Sequence, residues 1–197
     1  MKGIKNYYEK NRTKKLETER LILRKSTLED AGSMFKNWGS DPLVTRYVTW
    51  KTHETVEDSL EYLKYIQKEY QEGNAYHWLI VLKENNTPIG TIDVVRILTD
   101  GVVEIGYNIG SFWWGKGYTT EALKKVIEFL FKEVDVDTIC ARHLVKKPAS
   151  GKVMQKAGLK LEGILRQREI CNYTNTLMDV AYYSILKDEY LNIKKIK

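Results

Sequence analysis

Residues 104–122 read Glu-Ile-Gly-Tyr-Asn-Ile-Gly-Ser-Phe-Trp-Trp-Gly-Lys-Gly-Tyr-Thr-Thr-Glu-Ala. A strand-like run ends at Gly110, and an amphipathic run opens at Tyr118. Between them stand Phe112, Trp113 and Trp114, then Gly115-Lys116-Gly117. A strand that passes through a glycine turn into a helix sets up a crossover, so the chain must fold as a mixed α/β structure. The junction also has a chemistry. Backbone N–H groups at a helix start are unpaired and the helix dipole favours an anion there, so two glycines around a lysine form a phosphate cradle.

The rest of the chain suits that frame. At 197 residues it is long enough for one domain with a sizeable core. No apolar run approaches the roughly 20 residues of a membrane helix, and Met1–Lys15 lacks the apolar centre of a signal peptide. A cytoplasmic protein that does not engage a membrane is expected, with residues 1–15 as a loosely attached basic segment and 16–197 as the domain. The net charge is +6. Six basic residues against Glu9 in 1–15, and three lysines in 194–197, carry more than that excess. The body is therefore slightly acidic, which argues against nucleic-acid binding. Cys140 and Cys171 form no CxxC pair, and Cys140 reads as a small core residue in an apolar strand. His53, His77 and His143 are scattered, so no metal site is expected.

Along the chain, Leu21–Arg24 reads as a strand, and Ser26-Thr27 before Glu29-Asp30 has capping-box spacing. The helix that follows should bury Ala31, Met34, Phe35 and Trp38 and stop at Gly39–Pro42. A second helix spans about Thr55–Gln71, ended by Gly73. Strands at 76–83, 89–97 and 102–110 are joined by short turns, which predicts an antiparallel meander. The helix after Gly117 has the stripe Tyr118, Ala122, Val126, Leu130, flanked by Leu123, Ile127 and Phe131. A buried strand at 138–145 should run parallel to 102–110. Pro148 opens a short helix that Gly158 closes. Strands at 159–168 and 177–186 around the Asn172–Asn175 turn finish the order β-α-α-β-β-β-α-β-α-β-β.

Gly110–Gly117 is one residue short of a P-loop, because Gly117 stands where Ser or Thr would hold magnesium. The dinucleotide fingerprint fails as well, with Thr120 in place of its last glycine. What remains is G-x-G at a strand-to-helix junction. Phe112-Trp-Trp-Gly-Lys-Gly117 resembles the [QR]-x-x-G-x-[GA] signature of the GNAT N-acetyltransferase superfamily, with Phe112 replacing the polar first residue. Its run into Tyr118-Thr-Thr-Glu-Ala122 is similar to the ribosomal-protein N-acetyltransferases of the RimJ/RimL type. So are Thr18-Glu-Arg-Leu-Ile-Leu-Arg24, Pro148–Gly158 against N-x-x-S-x-x-V-x-x-K-x-G-F, Glu162-Gly163 and Asp179–Leu186. The likeness covers the chain from Leu16 onward.

The resemblance implies a fold, a cosubstrate and roles. The fold is a central mixed sheet, largely antiparallel, with two splayed parallel strands. The cosubstrate is acetyl-CoA, and the acceptor is a primary amine, in this branch the α-amino group of a protein such as a ribosomal protein. Polyamines, aminoglycosides and amino acids are alternative acceptors, and a non-catalytic acetyl-CoA-binding regulator is a reading of another class. Acetyl transfer needs a neutral amine, and a carboxylate can take its proton. Glu104 occupies the family's base position; a salt-bridged strand glutamate is the alternative. Ser150 matches the serine that assists the leaving thiolate; a serine satisfying the first helical turn is the alternative. The pantetheine would pair with Tyr107, Asn108 and Ile109, and the pyrophosphate would lie on Trp114, Gly115, Lys116, Gly117, Tyr118 and Thr119. Lys147 replaces the signature's asparagine, and either reaches a coenzyme A phosphate or points to solvent. Trp113 and Trp114 read more simply as packing than as ligands, and His143 as a satisfied core or rim histidine. Trp38, Tyr47, Trp50, Tyr65 and Tyr173 are candidate walls of the acceptor groove. Glu54, Glu57, Asp58 and Glu61 are a candidate acidic patch for a cationic acceptor. Both a monomer and a homodimer are compatible with the sequence.

Overall fold

The structure, a computed structural model, describes residues 13–195 except Thr49, Asn74 and Asn172. Among these residues the strands are β1 (Leu16–Glu17), β2 (Leu21–Arg24), β3 (His77–Leu82), β4 (Pro88–Thr99), β5 (Val102–Ile109), β6 (Thr138–Leu144), β7 (Lys160–Cys171) and β8 (Thr176–Leu186). They form one sheet in the order β1-β2-β3-β4-β5-β6-β8-β7. Every neighbouring pair is antiparallel except β5 and β6. The helices are α1 (Ala31–Met34), α2 (Pro42–Thr45), α3 (Val56–Glu72), α4 (Tyr118–Phe129), α5 (Pro148–Ala157) and α6 (Lys187–Lys195).

The sheet is covered on both faces, which is why β3 is buried at every position. On one face α4, α5 and α6 close the larger core. Leu123, Ile127 and Phe129 of α4 and Met154 of α5 meet Trp78, Ile80, Ile92, Ile105 and Ile139 there. On the other face α1 and α3 close a smaller core, where Trp38 and Leu63 meet Leu79 and Val81. The apolar stripe of α4 is buried as its period predicts.

Four sequence expectations are corrected. Thr13 and Lys14 are not loosely attached. Thr13 Oγ1 donates to the Ala75 carbonyl and accepts from His77 N–H, and the Trp78 indole donates to the Lys14 carbonyl. Residues 1–12 of that segment lie outside the described residues, as does Asn172 of the expected final turn. The helix expected after Thr27 is not uniform: a tight turn at Leu28–Asp30 precedes α1, and a wide turn at Phe35–Gly39 follows it, leaving Phe35 half-buried. Pro42 does not merely end that helix. It opens α2 behind Asp41, whose side chain accepts from Leu43 N–H. The expected order also lacked β1 and α6.

His77 seats α3 on β3. The Tyr70 hydroxyl donates its one proton to the His77 carbonyl at 2.7 Å and stands 3.1 Å from His77 Nδ1. Nδ1 must therefore be the protonated nitrogen, and Nε2 accepts from the Tyr62 hydroxyl at 3.3 Å. Burial lowers the His77 pKa from 6.5 to about 4. The unfolded chain thus binds the extra proton between pH 6.5 and 4. The stability His77 contributes is complete above pH 6.5 and is lost as pH falls toward 4. The stability margin of the protein over His77→Gln at pH 7 should shrink by about 3 kcal/mol by pH 4, read by urea unfolding across that range.

Gly90 of β4 leaves no room for a side chain beside β5. A Cβ there would lie 2.2 Å from the Asn108 carbonyl oxygen and 2.7 Å from Ile109 Cα, both backbone atoms that cannot swing away. Gly90→Ala should destabilise the fold by about 1–3 kcal/mol in the same unfolding assay.

Candidate active site

Parallel pairing between β5 and β6 covers only Val102 with Thr138, Val103 with Ile139 and Glu104 with Cys140. β5 continues to Ile109 and β6 to Leu144, so the two strands part beyond Glu104. The gap opens into a cavity of about 1060 Å³. Its walls come from β4, β5, β6, α3, the first turn of α5 and β7.

Glu104 stands at the parting point and is 4 % exposed. Its Oε2 accepts from Arg96 Nη2 and its Oε1 is ion-paired with Arg142 Nε, each at 2.9 Å. Arg142 also lies 3.4 Å from Glu169 Oε1 and donates to the Tyr182 hydroxyl at 3.2 Å. Both oxygens of the expected base are thus engaged by guanidinium groups. Cys140 beside it is half-buried rather than a core residue. Burial, then the Glu104 and Glu162 carboxylates, raises its pKa.

Beyond the parting point, the Tyr107 hydroxyl lies 3.0 Å from Ser150 Oγ and donates to the Ser150 carbonyl. Ser150, in the first turn of α5, therefore has a side-chain partner across the gap instead of merely capping its helix. Lys147 precedes α5 and lines the cavity rather than pointing to bulk solvent, and burial lowers its pKa. His143 also lines the cavity, stacked on Tyr183. Its Nδ1 lies 2.8 Å from the Leu144 carbonyl, which makes Nδ1 the donor. Its Nε2 is buried with no hydrogen-bond partner, so His143 is not the fully satisfied histidine expected. Burial lowers its pKa. Asn108 Nδ2 donates to Thr91 Oγ1 at 2.7 Å.

The loop after β5 leads into α4 through Gly115 (φ 76°) and Gly117 (φ 84°), left-handed conformations suited to glycine. No side chain caps the first turn of α4, so its N–H groups remain available to an anion. Residues 114–117 are exposed. This fits a diphosphate. Trp114 is spoken for, its Nε1 donating to the Ile109 carbonyl at 2.9 Å, and Trp113 packs on the larger core. The Lys116 ammonium sits 4.5 Å from the centre of the Phe112 ring. The loop is braced from Thr18 and Arg20. Glu121 Oε1 accepts from Thr18 Oγ1 and Arg20 N–H, Arg20 Nε donates to Oε2, and Arg20 Nη1 donates to the Lys116 carbonyl.

Of the expected groove residues, Tyr47, Trp50 and Tyr65 line the cavity. Trp38 does not: it is fully buried in the smaller core because the wide turn points it inward. Tyr173 packs on Arg46 instead. Glu54, Glu57 and Glu61 face solvent, and Asp58 caps α3 through Thr55 N–H and Glu54 N–H, so no acidic pocket forms there. Sequence reading did not single out Tyr62, His77, Asp93, Arg96 or Arg142, all of which line the cavity. Period-two alternation along β4, which puts Thr91 and Asp93 on one face, was the available signal.

Known proteins share this arrangement. The profile of the Acetyltransferase (GNAT) domain matches residues 20–160. The chain is 36 % identical over 176 residues to an uncharacterized N-acetyltransferase, p20, of Bacillus licheniformis, covering 89 % of this chain and 97 % of that one. It superposes on a GNAT-family acetyltransferase from Bacillus anthracis with a TM-score of 0.78 at 25 % identity, covering 89 % and 99 % of the two chains. It superposes on a ribosomal-protein-S5-alanine acetyltransferase from Vibrio fischeri with a TM-score of 0.77 at 20 % identity, covering 89 % and 97 %. With its splayed parallel strands and an uncapped helix start beside them, this chain belongs to the GNAT family and is an acetyl-CoA-dependent N-acetyltransferase.

Proposed function

We propose that the acceptor is the α-amino group of a protein N-terminus. The observation that carries this is the size and openness of the cavity. At about 1060 Å³ it exceeds what an acetyl group and a small amine occupy, and its walls run from α3 to β7. A volume walled in this way suits an extended peptide end with its amine at the parting of β5 and β6. The Vibrio fischeri protein of the same fold is named for acetylating an alanine of ribosomal protein S5.

Bound acetyl-CoA supplies an activated acetyl group. In this reading, the edge of β5 that β6 leaves beyond Glu104, along Tyr107, Asn108 and Ile109, receives the pantetheine. Gly115, Lys116, Gly117, Tyr118 and Thr119 receive the pyrophosphate through backbone N–H groups, helped by the α4 dipole. Ser150, held by Tyr107, and Lys147 face the thioester end. Glu104 holds Arg96 and Arg142 at the junction of β4, β5 and β6.

Two measurements test this. Gly117→Asp puts a carboxylate where the pyrophosphate belongs, and Gly117→Ala, which carries the same left-handed backbone strain without the charge, is its control. Coenzyme A affinity by calorimetry should be at least about tenfold lower in Gly117→Asp than in Gly117→Ala, equivalent to about 1.4 kcal/mol. Unchanged affinity would exclude the loop. Second, thiol release from acetyl-CoA should be fastest with peptides bearing free Ala, Ser or Met termini, and lost when the same peptides are N-acetylated beforehand. Preference for a polyamine or aminoglycoside would exclude the protein acceptor.

A further inference from the structure

Asp93 lies in the middle of the sheet, on the face that α3 covers. Strand alternation turns Ile92 and Val94 toward the larger core and Thr91 and Asp93 the other way. The register sets His77 of β3 on one side of Asp93 and Gly106 of β5 on the other. Gly106 has no side chain to cover the carboxyl; a Cβ there would stand 3.8 Å from Asp93 Oδ1. Asp93 therefore lines the cavity, one strand away from the point where β5 and β6 part.

Its carboxyl has no hydrogen-bond or ion-pair partner among the described residues. The surrounding groups explain why. On β3, His77 is neutral and its ring nitrogens face the Tyr62 and Tyr70 hydroxyls. On α3, Tyr62, Tyr65, Glu69 and Tyr70 add no cation, and the Asp93 charge itself helps keep Tyr62 and Tyr70 protonated. On β4 and β6, Arg96 and Arg142 are held by Glu104, and on β7 Glu169 is shared with Arg142. Across the cavity stand His143 and Lys147, both with lowered pKa. Burial alone raises the Asp93 pKa to about 7. A half-buried, desolvated carboxyl without a counter-ion is costly, and an incoming ammonium would relieve that cost.

We propose that Asp93 receives the ammonium of the acceptor and takes its proton, while Glu104 acts as a positioning residue for Arg96 and Arg142. This rests on the reading that the cavity holds the acceptor amine. The acceptor enters as R–NH3⁺ and gives one proton to the Asp93 carboxylate. The freed lone pair forms the C–N bond to the acetyl carbon as the C–S bond breaks, and sulfur keeps the electron pair. The second nitrogen proton ends on that sulfur, giving the thiol. Asp93 then returns its proton to water in the open cavity. The products are the amide, the thiol and one proton.

The test uses alaninamide as the probe amine. In the wild type, kcat/KM for its acetylation should rise with pH along a limb centred near 7. Asp93→Asn should lower kcat/KM about 100-fold or more and abolish that limb, with acetyl-CoA affinity unchanged. Glu104→Gln should keep the limb. A limb that survives in Asp93→Asn, or disappears only in Glu104→Gln, overturns the assignment. A second measurement does not depend on turnover. The carboxyl ¹³C signal that Asp93→Asn removes should titrate near pH 7 in the wild type, and saturating alaninamide with coenzyme A should lower that midpoint. A midpoint indifferent to alaninamide overturns the proposal, even if acetylation occurs. Absence of alaninamide acetylation alongside a shifted midpoint would instead count against the proposed protein acceptor and support Asp93 as the ammonium site.

Discussion

Backbone pairing between β5 and β6 ends at Glu104 and Cys140, and side-chain charge takes over from it. Glu104 reaches forward to Arg142 on β6 and sideways to Arg96 on β4. Three strands are thereby tied at the point where the sheet opens. A parallel pair that simply stopped bonding would leave a row of amide and carbonyl groups with nothing to hold the gap to one width. The carboxylate with two guanidinium partners sets that width locally. It also explains why a glutamate is tolerated at 4 % exposure: both oxygens are matched by charged donors, the condition under which a buried charge is stable. Removing one partner of such an arrangement leaves a buried charge uncompensated, so Glu104, Arg96 and Arg142 behave as one unit.

The second constraint is the brace behind the loop. Thr18 and Arg20 lie about a hundred positions from Glu121 in the chain and meet it through four hydrogen bonds or ion pairs. Arg20 also donates to the Lys116 carbonyl and lies over the Tyr118 ring. The T-E-R and T-T-E segments, which read as separate motifs in the sequence, are two halves of one support. It fixes the start of α4 relative to β2, and so fixes where the helix dipole points. Glycines at 115 and 117 then give the loop its left-handed turns without strain.

Charge is distributed unevenly over the cavity floor. Glu104 has two cations and Asp93 has none, though both stand on the same face of neighbouring strands. The difference comes from the bulge between Val94 and Arg96, which brings Arg96 opposite Glu104 and leaves Asp93 opposite Gly106. One carboxylate is neutralised by the protein, and the other is left to whatever enters the cavity.

Much of this was legible in the residues. The periods of α3 and α4, the short turns of the meander and the Gly-Lys-Gly junction each follow from local chemistry, and together they determine a mixed sheet with one β-to-α crossover. Glu104, Ser150 and the loop could be picked out as candidates because strand position and motif spacing are linear properties. Local pattern misled where the answer depended on contacts distant in sequence. Trp38 reads as well for a groove wall as for a core, and only the wide turn at Phe35–Gly39 decides that it is buried. Thr13 and Lys14 look like part of a solvated tail, and only β3 reveals that they are anchored. The sequence by itself determined the fold class through periodicity, and its motifs pointed to the cosubstrate through their resemblance to the GNAT family. The tertiary structure decided which carboxylate is free. That depends on strand register and on which side chains cross between strands, and neither is written in the order of the residues.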